Sequence, residues 1–280
     1  MSGRAWAARL AALLTLAAGL NVFGAVTAEA ASPSTLESDL ARIARSSGAF
    51  VGISLVDIGG RAPIAWSYNG GAPFVAASTY KLPVLMYEAQ GIASGRLHTW
   101  DRLCYRSSDY EAGPFAYWPG QCFTRQTLAW RIGHYSDNTA AHIFVRYMGG
   151  SGVLNAYARA HGALASSFFY PNRTTAADLA RLWRSEATGH AGGARAQAWL
   201  YPLLTHTRFE SGVPAGVPRT LTVAHKVGFL GYYIHDAALV RGGHAGPYVL
   251  VVMTRGLGGT AAWRLIARLS YRVWQYENAR

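Results

Sequence analysis

The sequence predicts a mixed fold of the α/β plus all-α kind: one antiparallel sheet flanked by terminal helices, with a helical lobe inserted between its halves. Three observations predict it. Apolar, β-branched runs occur near both ends of the chain and hardly at all in between. The middle carries helical periodicity broken by Gly-rich turns. Amphipathic helix patterns flank the strand-like runs at both ends.

In chain order, 36–45 reads as a helix with Leu36, Leu40 and Ile43 on one face. Residues 49–58 (AFVGISLVDI) form an apolar strand ended by Gly59-Gly60, and 64–68 a second, joined to it as a hairpin through GGRAP. Residues 78–90 are helical by pattern, with Pro83 early enough for its missing N–H to be tolerated. From 100 to about 220 the spacing predicts helices at 124–134, 138–148, 152–161, 175–186 and 194–204, and no strand. Strands return at 220–226, 235–241 and 248–254, and a helix over 260–275 closes the chain. The sheet lobe is therefore expected from 31–98 and 219–280, the helical lobe from 99–218, and a site in the cleft between them.

Residues 1–30 read as an export signal. Arg4 and Arg9 precede a largely apolar stretch, and Ala28-Glu29-Ala30 places small residues where a signal peptidase cuts. The competing reading is an uncleaved anchor, since the stretch nears the ~20 residues that span a bilayer. Cleavage after Ala30 leaves a single catalytic domain over 31–280 that is off the membrane and outside the cytoplasm or in the cell envelope. In an oxidising compartment Cys104 and Cys122 are expected to pair, the alternative being two buried thiols.

The formal charge is +12, from 26 basic and 14 acidic residues. The arginines never run three together and no nucleic-acid module accompanies them, which argues against nucleic acid as a partner. Two cysteines cannot complete a four-cysteine metal site, and none of the nine histidines pair at zinc spacing; they read as scattered and mostly structural. No metal or cofactor is called for, and a monomer is expected.

The lysines are more telling. Of the 26 basic residues only Lys81 and Lys226 are lysine. Lysine loses its proton when desolvated, whereas arginine effectively does not. Lys81 ends Ser78-Thr79-Tyr80-Lys81, where i, i+3 helical spacing puts its amine on the face of the Ser78 hydroxyl. Such a partner is what a serine needs to become a nucleophile. Lys226 opens Lys226-Val227-Gly228 at the end of a predicted strand, where it offers positive charge and Gly228 admits a substrate backbone. Ser136-Asp137-Asn138 lies at a helix start. There Ser136 would relay a proton, Asn138 would bond substrate or Lys81, and Asp137 would brace the loop; a plain helix cap is the alternative.

In this order the three elements resemble the active-site motifs of the penicillin-recognising serine enzymes, most nearly the class A β-lactamases. NTAAHIFVRYMGG, NRTTAADLARL, GVPAGVP and GYYIHDAALV extend the resemblance over nearly all of 31–280. It implies a β-lactamase/transpeptidase-like fold and a serine hydrolase working through an acyl-enzyme. Ser78 would be the nucleophile, Lys81 its proton acceptor and Ser136 the relay. Asn138 would position the substrate and Lys226 would face its carboxylate. The backbone N–H groups of Ser78 and Phe229 would form the oxyanion hole.

Two departures bear on the substrate. Class A enzymes carry a deacylating Glu on the loop before the stretch matched by NRTTAADL, yet 138–177 contains no Asp and no Glu. Asp178 belongs to the following helix, so the base would have to be Lys81 again, or Glu111 entering from the helical lobe. Val227 stands where the family has Thr or Ser, which removes a hydroxyl worth about 1–2 kcal/mol of carboxylate binding. Three readings follow: a hydrolase of β-lactam-like amides or esters with slow or atypical deacylation, a peptidoglycan D,D-peptidase or related peptidase or esterase, and a non-catalytic binding module.

Overall fold

The computed structural model describes residues 32–60 and 63–280, so the expected export signal lies outside the described residues. Helix α1 (Pro33–Arg45) starts where Ser32 accepts a bond from the Thr35 N–H at 3.2 Å, with Pro33 in its first turn and Arg42 and Arg45 at its carbonyl end. Strands β1 (Phe50–Asp57) and β2 (Ala65–Tyr68) pair antiparallel as the expected hairpin. After the two-residue β3 (Phe74–Val75) the chain makes a 3-10 turn, Ala77–Tyr80, and enters α2 (Lys81–Ala93). The helix predicted from Ser78 thus begins at Lys81, which leaves Pro83 in its first turn.

The middle block holds α3 (Arg125–Tyr135), α4 (Asn138–Met148), α5 (Ser151–Ala160), α6 (Ala176–Ala187) and α7 (Gly193–Leu203), close to the predicted bounds. It also holds strands, contrary to expectation. Arg102–Cys104 pairs with Cys122–Thr124, and Arg173–Thr174 pairs with β3. Segments of two or three residues are too short to show alternation in sequence.

Cys104 and Cys122 face each other across the first of these pairs and are joined as a disulfide, closing a loop over 105–121. Opening it with Cys104→Ser and Cys122→Ser is expected to cost about 3 kcal/mol of stability in the chain-entropy description. Denaturant midpoints with unchanged slope would measure this, and an unchanged midpoint would refute it.

The chain then returns to the sheet through Thr222–Leu230, Tyr233–Arg241 and Tyr248–Arg255. With the middle-block strands numbered β4, β5 and β6, these are β7, β8 and β9. The order is β2-β1-β9-β8-β7, antiparallel throughout. Strand β7 does not stop at Lys226 as predicted; it runs on to Leu230, with Gly228 inside it and paired to His235. Helix α8 (Gly259–Ala279) closes the fold and is longer than predicted.

Strand β9 shows why the sheet strands read as unbroken apolar runs. Val249, Val251 and Met253 pack with the inserted helices, while Tyr248, Leu250 and Val252 pack with α1 and α8. A central strand covered on both faces has no polar side to alternate with. Helix α6 is tied to the inner face by the Trp183 indole N–H, which donates to the Ala237 carbonyl at 3.0 Å. No helix among the described residues is long and apolar enough to cross a membrane.

Candidate active site

The 3-10 turn Ala77–Tyr80 presents Ser78 at the edge of a cleft of about 230 Å³. Ala77 is held at φ 47°, a left-handed conformation costly for a residue with a Cβ. Asn172 braces it, its Nδ2 donating to the Ala77 carbonyl at 3.0 Å. Strand β7 presses on the same turn. A Cβ at Gly228 would lie 2.8 Å from the Ala76 carbonyl oxygen and 2.9 Å from the Thr79 nitrogen, so the missing side chain admits the protein's own turn.

Lys81, one turn after Ser78, is fully buried. Its Nζ lies 3.0 Å from Ser78 Oγ, 2.6 Å from the Ser136 carbonyl and 3.3 Å from Ser136 Oγ, and donates also to Asn138 Oδ1. Burial pushes its pKa down to about 7 although Glu111 and Asp137 pull the other way. An amine half-deprotonated near neutrality, in contact with a serine hydroxyl, is able to take its proton.

Ser136 caps the end of α3 at φ 57°. The next residue, Asp137, is the N-cap of α4: it accepts from the Ala140 N–H at 2.7 Å and from the Tyr117 hydroxyl at 2.6 Å. The bracing expected of Asp137 therefore runs to the disulfide-closed loop. Asn138 turns Oδ1 to Lys81 and Nδ2 to the Ala112 carbonyl at 2.9 Å.

Lys226 arrives from β7, its Nζ 3.0 Å from Ser136 Oγ and 3.0 Å from the Val227 carbonyl. It too is buried; burial and the neighbouring Lys81 charge depress its pKa strongly, against a smaller pull from Asp236. In this arrangement Lys226 touches Ser136 and not open cleft. Behind it His225 is buried with Nδ1 2.9 Å from Asp236 Oδ1 and Nε2 3.2 Å from Glu210 Oε1. Burial lowers the imidazole pKa, but the two carboxylates outweigh it and raise it to about 9.

The structure thus brings Ser78, Lys81, Ser136, Asn138 and Lys226 together from three separate parts of the chain. Phe229 lines the cleft with Ser78, whereas Val227 is buried and supplies no hydroxyl. Cys104 and Cys122 stand outside the cleft and hold its loop.

Sequence reasoning missed His142 as a site residue. It lies in the cleft wall with Glu111, Phe169 and Tyr170, its Nε2 2.8 Å from Glu111 Oε2. The signal was present: His142 is four residues after Asn138, on the same face of α4. Among the described residues no group of three or more His, Cys, Asp or Glu is placed to hold a metal ion.

Comparison with known proteins agrees with this architecture. The model of the beta-lactamase enzyme family matches residues 35–277. Among solved structures, a variant of PBP-A described as an acyl-enzyme complex with penicillin G is 24% identical with a TM-score of 0.80, over 87% of this chain and 96% of that one. A β-lactamase from Sphaerobacter thermophilus is 22% identical with a TM-score of 0.75, over 86% and 96%. An ancestral class A β-lactamase is 23% identical with a TM-score of 0.77, over 86% and 99%. At these identities the likeness is one of fold. No curated protein matches the chain.

Proposed function

The chain belongs to the beta-lactamase enzyme family, and from that premise we propose that it is a serine hydrolase that acylates Ser78 with a β-lactam-like or related amide or ester and releases the adduct by an atypical, slow route. One observation carries this: the Lys81 amine sits 3.0 Å from Ser78 Oγ, shut off from solvent, with its pKa brought to about 7. Neutral Lys81 takes the Ser78 proton as Oγ attacks the carbonyl carbon. The oxyanion is received by the backbone N–H groups of Ser78 and Phe229. Ser136, in contact with both lysines, passes the proton to the leaving nitrogen. Lys226 holds the Ser136 hydroxyl for that transfer. Asn138 fixes Lys81 on one side and the loop at Ala112 on the other.

The slow second half rests on the absence of any carboxylate in 138–177. The same absence, with valine at 227, favours a peptidoglycan D,D-peptidase as the second reading. We place the protein outside the cytoplasm, exported by residues 1–30, acting as a monomer on a small-molecule or peptidoglycan-derived substrate, with no cofactor.

Stopped-flow mixing with a chromogenic cephalosporin is expected to give a burst of one equivalent followed by a slow steady state. Rapid cleavage of a D-alanyl-D-alanine peptide beside a long-lived cephalosporin adduct would favour the peptidase. Neither adduct nor turnover with either compound would leave only the binding module.

A further inference from the structure

We propose that Glu111, held by His142, is the general base that activates water for release of the acyl group from Ser78. This rests on the acyl-enzyme reading above and supplies the step which that reading leaves without an agent.

Elimination comes first. Once Ser78 is acylated, a water in the cleft must lose a proton as its oxygen bonds to the ester carbonyl carbon. Lys81 is badly placed to take it. Its Nζ is fully buried and ringed by Ser78 Oγ, both oxygens of Ser136 and Asn138 Oδ1, which leaves no side of it open to a water in the cleft. Lys226 is buried against Ser136 and Val227. Among the carboxylates, Asp137 is buried and engaged with Tyr117 and Ala140. Asp178 is committed to the Ala165 N–H, the Ser166 hydroxyl and Arg181. Asp236 is committed to His225 and the Val213 N–H. Of the carboxylates among the described residues, Glu111 is the one in the wall of the cleft that Ser78 borders.

Glu111 is also held in place. Its N–H donates to Thr139 Oγ1 at 3.1 Å, and the same hydroxyl donates to its carbonyl at 2.8 Å. The next residue, Ala112, accepts from Asn138. The loop is closed below by the disulfide and fixed to α4 by Arg146, which donates to both oxygens of Asp109 and to the Cys104 carbonyl. At its tip His142 Nε2 binds Glu111 Oε2 at 2.8 Å, and the imidazole lies against the Phe169 ring at 4.8 Å. Half of the Glu111 side chain remains exposed, which leaves an oxygen free for water. Burial, first, and the Lys81 charge lower the His142 pKa although Glu111 opposite and Asp109 pull it up.

The step balances. A cleft water gives one proton to Glu111 as its oxygen bonds to the acyl carbon. The proton on Glu111 passes through solvent to the Lys81 amine, which acylation left neutral; the tetrahedral carbon then expels Ser78 Oγ, which takes that proton from Lys81. The product leaves as the carboxylic acid, and Glu111 and Lys81 return to the states in which acylation began. His142 touches no reacting atom; it is a positioning residue that aims the carboxylate.

Adduct lifetime and burst rate with a chromogenic cephalosporin, followed by stopped flow and intact-protein mass spectrometry, test this in the full chain. Glu111→Gln is expected to keep the burst rate within about threefold and to lengthen the adduct lifetime by about 10²–10⁴-fold. His142→Ala should lengthen it by about tenfold, and His142→Gln, which restores an N–H at the same reach, should recover most of that loss. An adduct lifetime unchanged in Glu111→Gln, or a burst slowed as much as the steady state, overturns the assignment of Glu111 while leaving the acyl-enzyme standing. A wild-type protein that forms no adduct and turns nothing over overturns both.

Discussion

Replacing Ser78 by Ala is expected to abolish the covalent adduct with a β-lactam or a fluorophosphonate and to lower turnover by about 10⁴–10⁶-fold, the loss typical of removing a serine nucleophile. The fold should survive. Ser78 is half-buried at the cleft edge, and its loss leaves Lys81 with three of its four acceptors, two on Ser136 and one on Asn138. Peptide mapping of the wild-type adduct should place the added mass on the fragment containing Ser78. Labelling at another residue, or undiminished labelling in Ser78→Ala with an unchanged melting temperature, would show that the turn Ala77–Tyr80 carries no chemistry.

The second large effect is expected at Lys81. Both Lys81→Arg and Lys81→Met should slow acylation by about 10²–10⁴-fold, because Arg cannot release its proton and Met has none to exchange. The pair separates charge from basicity. If Lys81 served only as a positive charge beside Ser78, Arg would retain most of the rate. The pH dependence has a definite sign. The acceptor is the neutral amine and its pKa is lowered to about 7, so the acylation rate of the wild type should rise with pH through about 7 and level off above it. An amine with the ordinary pKa would keep climbing to about 10. A burst rate flat across pH 6 to 8 in the wild type, or a near wild-type burst in Lys81→Arg, would remove the proton-acceptor role.

The two predictions draw on sequence and structure in different proportions. That Ser78 and Lys81 belong together was legible because they are three residues apart, and a helical turn brings such residues to one face whatever surrounds them. Scarcity sharpened this: the two lysines among 26 basic residues both fall in the candidate motifs. The sheet was legible for the same local reason. Runs such as 248–254 are apolar at every position, which suits a strand covered on both faces. The pairing of Cys104 with Cys122 followed from their small separation and the expected export.

Where local signals were weak the sequence misled. The strand read as ending at Lys226 and Gly228 as room for a substrate backbone, and only the packing of β7 on the turn at Ala76 and Thr79 shows Gly228 as a mid-strand contact. The three-residue strands around the disulfide are too short for alternation to register. His142 read as one scattered histidine among nine, because its partner Glu111 lies 31 positions earlier on a loop with no periodicity of its own.

By itself, then, the sequence determined the five strands of the main sheet and the order of the helices, the pairing of Ser78 with Lys81, and the absence of a carboxylate from 138–177, all properties of residue type and short-range spacing. Tertiary structure alone decided that Lys226 reaches Ser136 across 90 residues, that Lys81 is stripped of water until its pKa falls to about 7, and that Glu111 meets His142 in the wall of the Ser78 cleft. Desolvation and long-range contact depend on what the rest of the chain places around a group, and no short window of sequence contains that surrounding.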